Sequence, residues 1–205
     1  MVSYKTRFWI TTILIYASSF TSGMTDCIKS VTVVDMKLLF GADDSLYSLL
    51  LSVVLIGYML SSATCSFSVA HFGYRTVLTL GLALCYLGDI SSMFINSFQL
   101  GIVTQFVAMA GVGMLDNAVG SLCSKLFVEH SGVYMSYMSF FYGIGATVGP
   151  LIAGWIDTLC PDYTFRAVYL WISFIPLLVA IVTLLAPLAL NYPSDPIPTS
   201  SMFWL

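Results

Sequence analysis

The chain has 205 residues, of which 59% are hydrophobic and only 8% charged, with a mean hydropathy of +0.93. A soluble domain carries roughly 25% charged side chains, so this chain has lipid for a solvent and reads as an integral membrane protein. Its net charge is −3 and no basic or acidic run occurs, which removes nucleic acid and a polybasic headgroup patch from the candidate partners.

Six apolar segments follow one another along the chain. The first starts behind Lys5 and Arg7 and runs from Phe8 to Gly23, with a mixed continuation to Val34. The others are Leu46–Ala70, Thr76–Ile95, Leu100–Cys123, Gly132–Ile156 and Phe165–Leu190. Each reaches the roughly 20 residues that a tilted helix needs to cross about 30 Å of hydrocarbon. A helix satisfies its own backbone in lipid, so the expectation is an all-α, polytopic bundle of six spans occupying residues 1–190. The basic start, apolar core and Ala17-Ser18-Ser19 also resemble a signal peptide, but the segment continues into helical sequence and five further spans follow.

With the N-terminus inside, Lys5, Arg7, Arg75 and Lys125 face the cytoplasm, against Lys29, Lys37 and Arg166 outside; both chain ends are then cytoplasmic. Asp43, Asp44, Asp157 and Asp162 fall on the outer side. The stretch Asn191–Leu205 holds Pro193, Pro196 and Pro198 and reads as an extended cytoplasmic linker or tail, which raises the expectation of a longer product. Five cysteines stand singly, four of them in or beside spans; an outer-face bridge between Cys27 and Cys160 is one option. No Asn-x-Ser/Thr sequon is present.

An acid inside lipid is costly and is the first place to look for function. Asp116 lies in Gly111-Val112-Gly113-Met114-Leu115-Asp116-Asn117, nine residues before Lys125, or about 13 Å of helix rise. Gly111, Gly113, Ala118 and Gly120 let neighbouring helices close on it. A proton or cation site is one reading; the other is a protonated acid bonded to Asn117 or to a backbone carbonyl. Asp26 is the second acid, about 28 Å of rise past Arg7, and Lys29 three residues on offers it an ion pair. Asp89 reads as interfacial and solvated. Gln105 and Asn117 add amides to the fourth segment, and Tyr16, Tyr137 and Tyr142 offer hydroxyls and aromatic faces. The fifth segment carries Gly143, Gly145, Gly149 and Gly154, which let a neighbouring helix close on it, and Pro150, which favours a bend, for gating or for bundle shape.

No hydrolase, zinc-protease or phosphate-loop motif occurs, and the two histidines, His71 and His130, fall in expected loops. The chain reads as no enzyme, with no cofactor and no metal site, and uphill work would draw on an ion gradient.

The order of these features resembles the N-terminal six-helix half of a major facilitator superfamily transporter. The family's loop pattern Gly-x-x-x-Asp-Arg-x-Gly-Arg-Arg is met by Ser66 to Arg75, with Gly73 and Arg75 matching and Ala70 at the Asp position. Gly145 to Gly154 is similar to the family's glycine-proline helix. An acid in the first helix and Gly-x-Gly-x-Leu-Glu/Asp in the fourth resemble the fucose permease and sodium-dependent glucose transporter branch, through Asp26 and Gly111 to Asp116. The resemblance implies transport of a sugar-like solute by alternating access, coupled to H⁺ or Na⁺ at Asp116 and Asp26. Asn117 and Gln105 would line the cavity, and Gly73, Arg75, Gly145, Gly149 and Pro150 would serve conformational change. It implies a second six-helix half or an oligomeric partner, and the plasma membrane as the site. The alternatives are a truncated membrane partner of a full-length carrier, and a carrier for another organic solute.

Overall fold

The computed structural model describes residues 4–159 and 164–190, and all the regular structure there is helical. Helix α1 spans Tyr4–Phe40, α2 Asp44–Ser92, α3 Phe98–Leu126, α4 Ser131–Leu159 and α5 Thr164–Leu185, with a short 3₁₀ turn at Val128–His130. The tail from Asn191 and the residue Cys160, hence the Cys27–Cys160 option, lie outside the described residues.

Six helices were expected and five are found among the described residues. The second and third segments share α2, because helical hydrogen bonding runs through the expected loop and places His71 within a helix. A straight helix of 49 residues would extend about 74 Å, over twice the hydrocarbon thickness. It is not straight. Gly73 sits at φ 78°, ψ 161°, a backbone conformation open to glycine and strained for any side chain.

Contacts with α3 on either side of Gly73 run in opposite directions. Before it, Gly57 abuts Phe106 and Cys65 Sγ donates to the Met114 carbonyl. After it, Tyr74 bonds Ser121, Gly81 meets Leu115 and Gly111, Gly88 meets Ala108, and Ser92 bonds Thr104. The chain therefore doubles back over α3 at Gly73.

Among the described residues, four helical stretches are long and apolar enough to cross a membrane: Asp44–Ser92, Phe98–Leu126, Val128–Ile156 and Phe165–Leu185. Helix α1 is not among them, and its residues say why. Beside Asp26, Lys29, Asp35 and Lys37 it buries Thr11, Ser18, Thr21, Ser22, Thr25 and Thr32. Its polar stripe faces inward, the reverse of a soluble helix. The complement is outward: Leu55, Met59, Phe67, Leu87, Phe140, Trp155, Leu178 and Leu185 are all exposed, as lipid-facing side chains are.

Small residues set the helix spacing. A Cβ at Gly145 would lie 2.1 Å from the Phe20 carbonyl oxygen, and one at Gly23 would lie 2.2 Å from that of Tyr142. Helices α1 and α4 thus touch backbone to backbone. Gly111 and Gly113 do the same for α3, against Gly81 and Tyr58, whereas Gly120, Gly143 and Gly154 face open space. The two larger apolar cores among the described residues lie around Tyr74, Leu82, Val112 and Leu115, and around Met24, Ile28, Phe98 and Tyr169. At the N-terminus of α3, Ser97 caps the helix by accepting from the Leu100 amide, a contact worth about 1 kcal/mol.

Candidate functional site

Three acids meet hydroxyl groups along the inner stripe of α1. Asp116 comes from α3, where close contact with α2 at Gly113 holds it against that helix. Its Oδ1 accepts from Ser22 Oγ at 2.5 Å and its Oδ2 from Tyr58 OH at 3.2 Å. One turn beyond Ser22, Asp26 Oδ2 accepts from Tyr142 OH on α4 at 2.6 Å. The glycine contact between Gly23 and the Tyr142 backbone brings that hydroxyl within reach. Asp26 and Asp116 lie within electrostatic range of each other and of Tyr58. Both are half-buried. Each keeps lone pairs that a proton, a cation or a solute hydroxyl can use.

The third acid corrects an expectation. Asp89 was expected at a wet interface, yet it is 1% exposed. The cause is the approach of Gly88 to Ala108, which sinks this stretch of α2 into the bundle. Asp89 Oδ2 accepts from Thr25 Oγ1 at 3.4 Å, and its Oδ1 has no partner among the described residues.

Lys29 is also inside, 7% exposed, and Asp89 is the carboxylate that acts on it most strongly, ahead of Asp26. The ion pair offered between Asp26 and Lys29 is not made: Asp26 bonds Tyr142, and Lys29 Nζ has no hydrogen-bond partner among the described residues. Gln105 stands nearby, 0% exposed, its Nε2 donating to Ser92 Oγ at 3.1 Å and to Tyr169 OH at 2.7 Å. Tyr169 OH in turn is hydrogen-bonded to Thr32 Oγ1 at 2.6 Å.

The two amides of α3 therefore part company. Gln105 is eleven residues from Asp116, about 16 Å along the helix, and joins the Lys29–Asp89 cluster. Asn117 donates its side-chain amide elsewhere than to Asp116. It is exposed, and its Nδ2 donates to Ser62 Oγ at 2.8 Å and to the Gly113 carbonyl at 3.0 Å, tying α3 to α2. Tyr16 stacks on Phe141 and Tyr137 meets Tyr134 edge-on, so only Tyr142 of the three tyrosines reaches an acid.

The residues assigned to conformational change fall at helix contacts. Gly73 is the reversal in α2, and Arg75 just beyond it donates from Nη2 to the Leu184 carbonyl near the end of α5. That bond complements the negative end of the α5 dipole. Gly145 and Gly149 pack on α1 against Phe20, Met24 and Ile28, and α4 continues through Pro150 to Leu159. Ser22, Tyr58 and Thr25 had no signal in the sequence, because an isolated hydroxyl on an apolar helix looks the same whether it meets an acid or its own backbone.

A cavity of about 210 Å³ takes part of its lining from each cluster, Asp26 from the first and Lys29 and Gln105 from the second. Asp26, Lys29, Ser30 and Gln105 form its polar part, and Val33, Tyr47, Leu50, Leu51 and Val54 the apolar wall.

The described residues form a bundle with apolar side chains outward and with acids and a cavity along one inward polar helix. The sequence matches the Major Facilitator Superfamily over residues 8–202, and the chain belongs to that family. No curated protein matches it. Among solved structures it is similar to the proton:xylose symporter XylE of E. coli, bound to 6-bromo-6-deoxy-D-glucose, at 15% identity and a TM-score of 0.79. That likeness covers 91% of this chain and 46% of XylE. The E. coli fucose:proton symporter FucP is similar at 18% identity and a TM-score of 0.74, over 93% of this chain and 53% of FucP. A bacterial homologue of the human drug peptide transporters is similar at 18% identity and a TM-score of 0.77, over 98% of this chain and 46% of that one. At these identities the likeness is one of fold, and the chain spans about half the length of each. As a family member with long apolar helices it is an integral, multi-pass membrane protein.

Proposed function

We propose that the chain forms the N-terminal half of an ion-coupled carrier for a sugar-like solute, working by alternating access. In this reading α2 counts as two spans folded at Gly73, which makes six, with both ends cytoplasmic, residues 1–190 as one bundle and the plasma membrane as its site. A second six-helix half supplies the opposite wall of the cleft. The observation that carries the reading is the position of Asp116 between Ser22 of α1 and Tyr58 of α2, within electrostatic range of Asp26.

The coupling chemistry follows from lone pairs. Each acid is held by hydroxyl donors that fix its direction without neutralising it, so a proton or Na⁺ is the missing counter-charge. Neutralising one acid lowers the cost of ionising its neighbour, which couples the two sites. Solute hydroxyls compete for the same oxygens, so loading the ion and the solute changes how strongly Ser22, Tyr58 and Tyr142 hold α1, α2 and α4 together. Gly145 and Gly149 supply the close contact over which α1 and α4 slide, and Arg75 ties the reversal at Gly73 to the end of α5.

The test is uptake of labelled hexose into proteoliposomes holding the chain with a six-helix second half, under H⁺, Na⁺ or no gradient. A gradient should raise accumulation, and Asp116→Asn should abolish that rise while the protein still reconstitutes. Accumulation that ignores both gradients, or a fully coupled Asp116→Asn variant, would reduce Asp116 to a packing residue.

A further inference from the structure

A buried ammonium without an acceptor costs several kcal/mol unless something fills its donors. Lys29 is in that position: it is 7% exposed, its Nζ has no hydrogen-bond partner among the described residues, and it lines the cavity of about 210 Å³. Asp89 offsets its charge from a distance, but Asp89 points an oxygen at Thr25 and makes no hydrogen bond to Lys29. Gln105 adds the complementary vacancy. It is 0% exposed, both hydrogens of its Nε2 are taken, its Oε1 has no partner among the described residues, and the residue lines the same cavity.

We propose that this cavity binds a carboxylate-bearing solute, a sugar acid rather than a neutral sugar. Lys29 takes the carboxylate, and Gln105 Oε1 and the free lone pairs of Asp26 accept from its hydroxyls. Val33, Leu50, Leu51 and Val54 cover the C–H face of the ring, with Tyr47 at the rim. A neutral hexose can donate to Gln105 and Asp26 but brings no counter-charge to Lys29. A simple inorganic anion satisfies Lys29 and leaves Gln105 unfilled. The cavity has room for about seven waters at roughly 30 Å³ each, the scale of a small organic solute rather than an ion. The inference takes the carrier reading for its context and names the solute class for that cavity.

Equilibrium binding of radiolabelled D-glucuronate and D-glucose to the 205-residue chain in phosphatidylcholine nanodiscs tests it without requiring transport. D-Glucuronate should bind at least about tenfold tighter than D-glucose, the scale of one charge-assisted hydrogen bond. Lys29→Gln alone strands Asp89, so the charge-balanced double variant Lys29→Gln/Asp89→Asn is the informative one. It should bring D-glucuronate to within about threefold of D-glucose. Equal affinity for the two sugars in the unaltered chain, binding of neither, or a double variant that keeps the preference would overturn the proposal. Acetate displacing D-glucuronate at equal concentration would overturn it as well, since the hydroxyl contacts would then count for nothing. Gradient-driven uptake of neutral hexose with no preference for the acid would sink the sugar acid and leave the carrier standing.

Discussion

Gly23→Ala adds one methyl group and should be among the most damaging small changes in the bundle. The new Cβ would lie 2.2 Å from the Tyr142 carbonyl oxygen, 3.0 Å from its carbon and 3.2 Å from the Ala146 nitrogen. All three are backbone atoms, so no side chain can swing aside. Restoring an ordinary contact of about 3.4 Å requires α1 and α4 to part by about 1 Å. The Tyr142 hydroxyl to Asp26 bond, at 2.6 Å, then stretches past the hydrogen-bonding range. Overpacking costs about 1–3 kcal/mol, and the lost bond adds about 1 kcal/mol on the scale measured between membrane helices. In a chain of this length that corresponds to a fall in Tm of roughly 4–15 °C.

Thermal unfolding in nanodiscs, followed by circular dichroism, measures the fall, and Gly120→Ala is the internal control. Gly120 faces open space, so alanine there should be neutral or stabilising by up to about 1 kcal/mol. Tyr142→Phe completes a double-mutant cycle. Combined with Gly23→Ala it should cost less than the sum of the two, because both remove the same bond. Equal Tm values for Gly23→Ala and Gly120→Ala would refute the backbone contact between α1 and α4, and strict additivity would refute the link to Asp26.

Two further outcomes follow from the same geometry. Gly73→Ala places a side chain at φ 78°, ψ 161° and should cost about 1–3 kcal/mol, read as a lower Tm, with faster proteolysis between the two halves of α2; an unchanged Tm would mean that the reversal lies elsewhere. Asp89→Asn removes the carboxylate that acts most strongly on the buried Lys29 and should lower Tm, while Lys29→Met/Asp89→Asn should recover most of that loss. If the double variant is no more stable than Asp89→Asn, the two residues do not compensate each other.

Depth along a helix was legible in the sequence, but direction around it was not. Counting from Lys125 put Asp116 well inside its span, and the glycines at Gly111, Gly113, Gly145 and Gly149 marked helix contacts that the structure contains. The same counting placed Asp89 at an interface. Rise along the axis says nothing about which face a neighbour covers, and Gly88 on Ala108 covers that one. Likewise, Asp26 and Lys29 share a face at a three-residue spacing, which invited an ion pair. Tyr142 reaches Asp26 from another helix instead, and Lys29 lines the cavity with no hydrogen-bond partner among the described residues.

Composition by itself determined the solvent, the all-helical backbone and the presence of acids that lipid cannot tolerate bare, because each follows from transfer energies that depend on residue type alone. The tertiary structure decided which hydroxyl meets which acid, that a 49-residue helix turns back at Gly73, and that α1 points its polar side inward. Those outcomes depend on distances of a few tenths of an ångström between residues up to 116 positions apart. Periodicity within one helix carries no information about such distances until the others are packed against it.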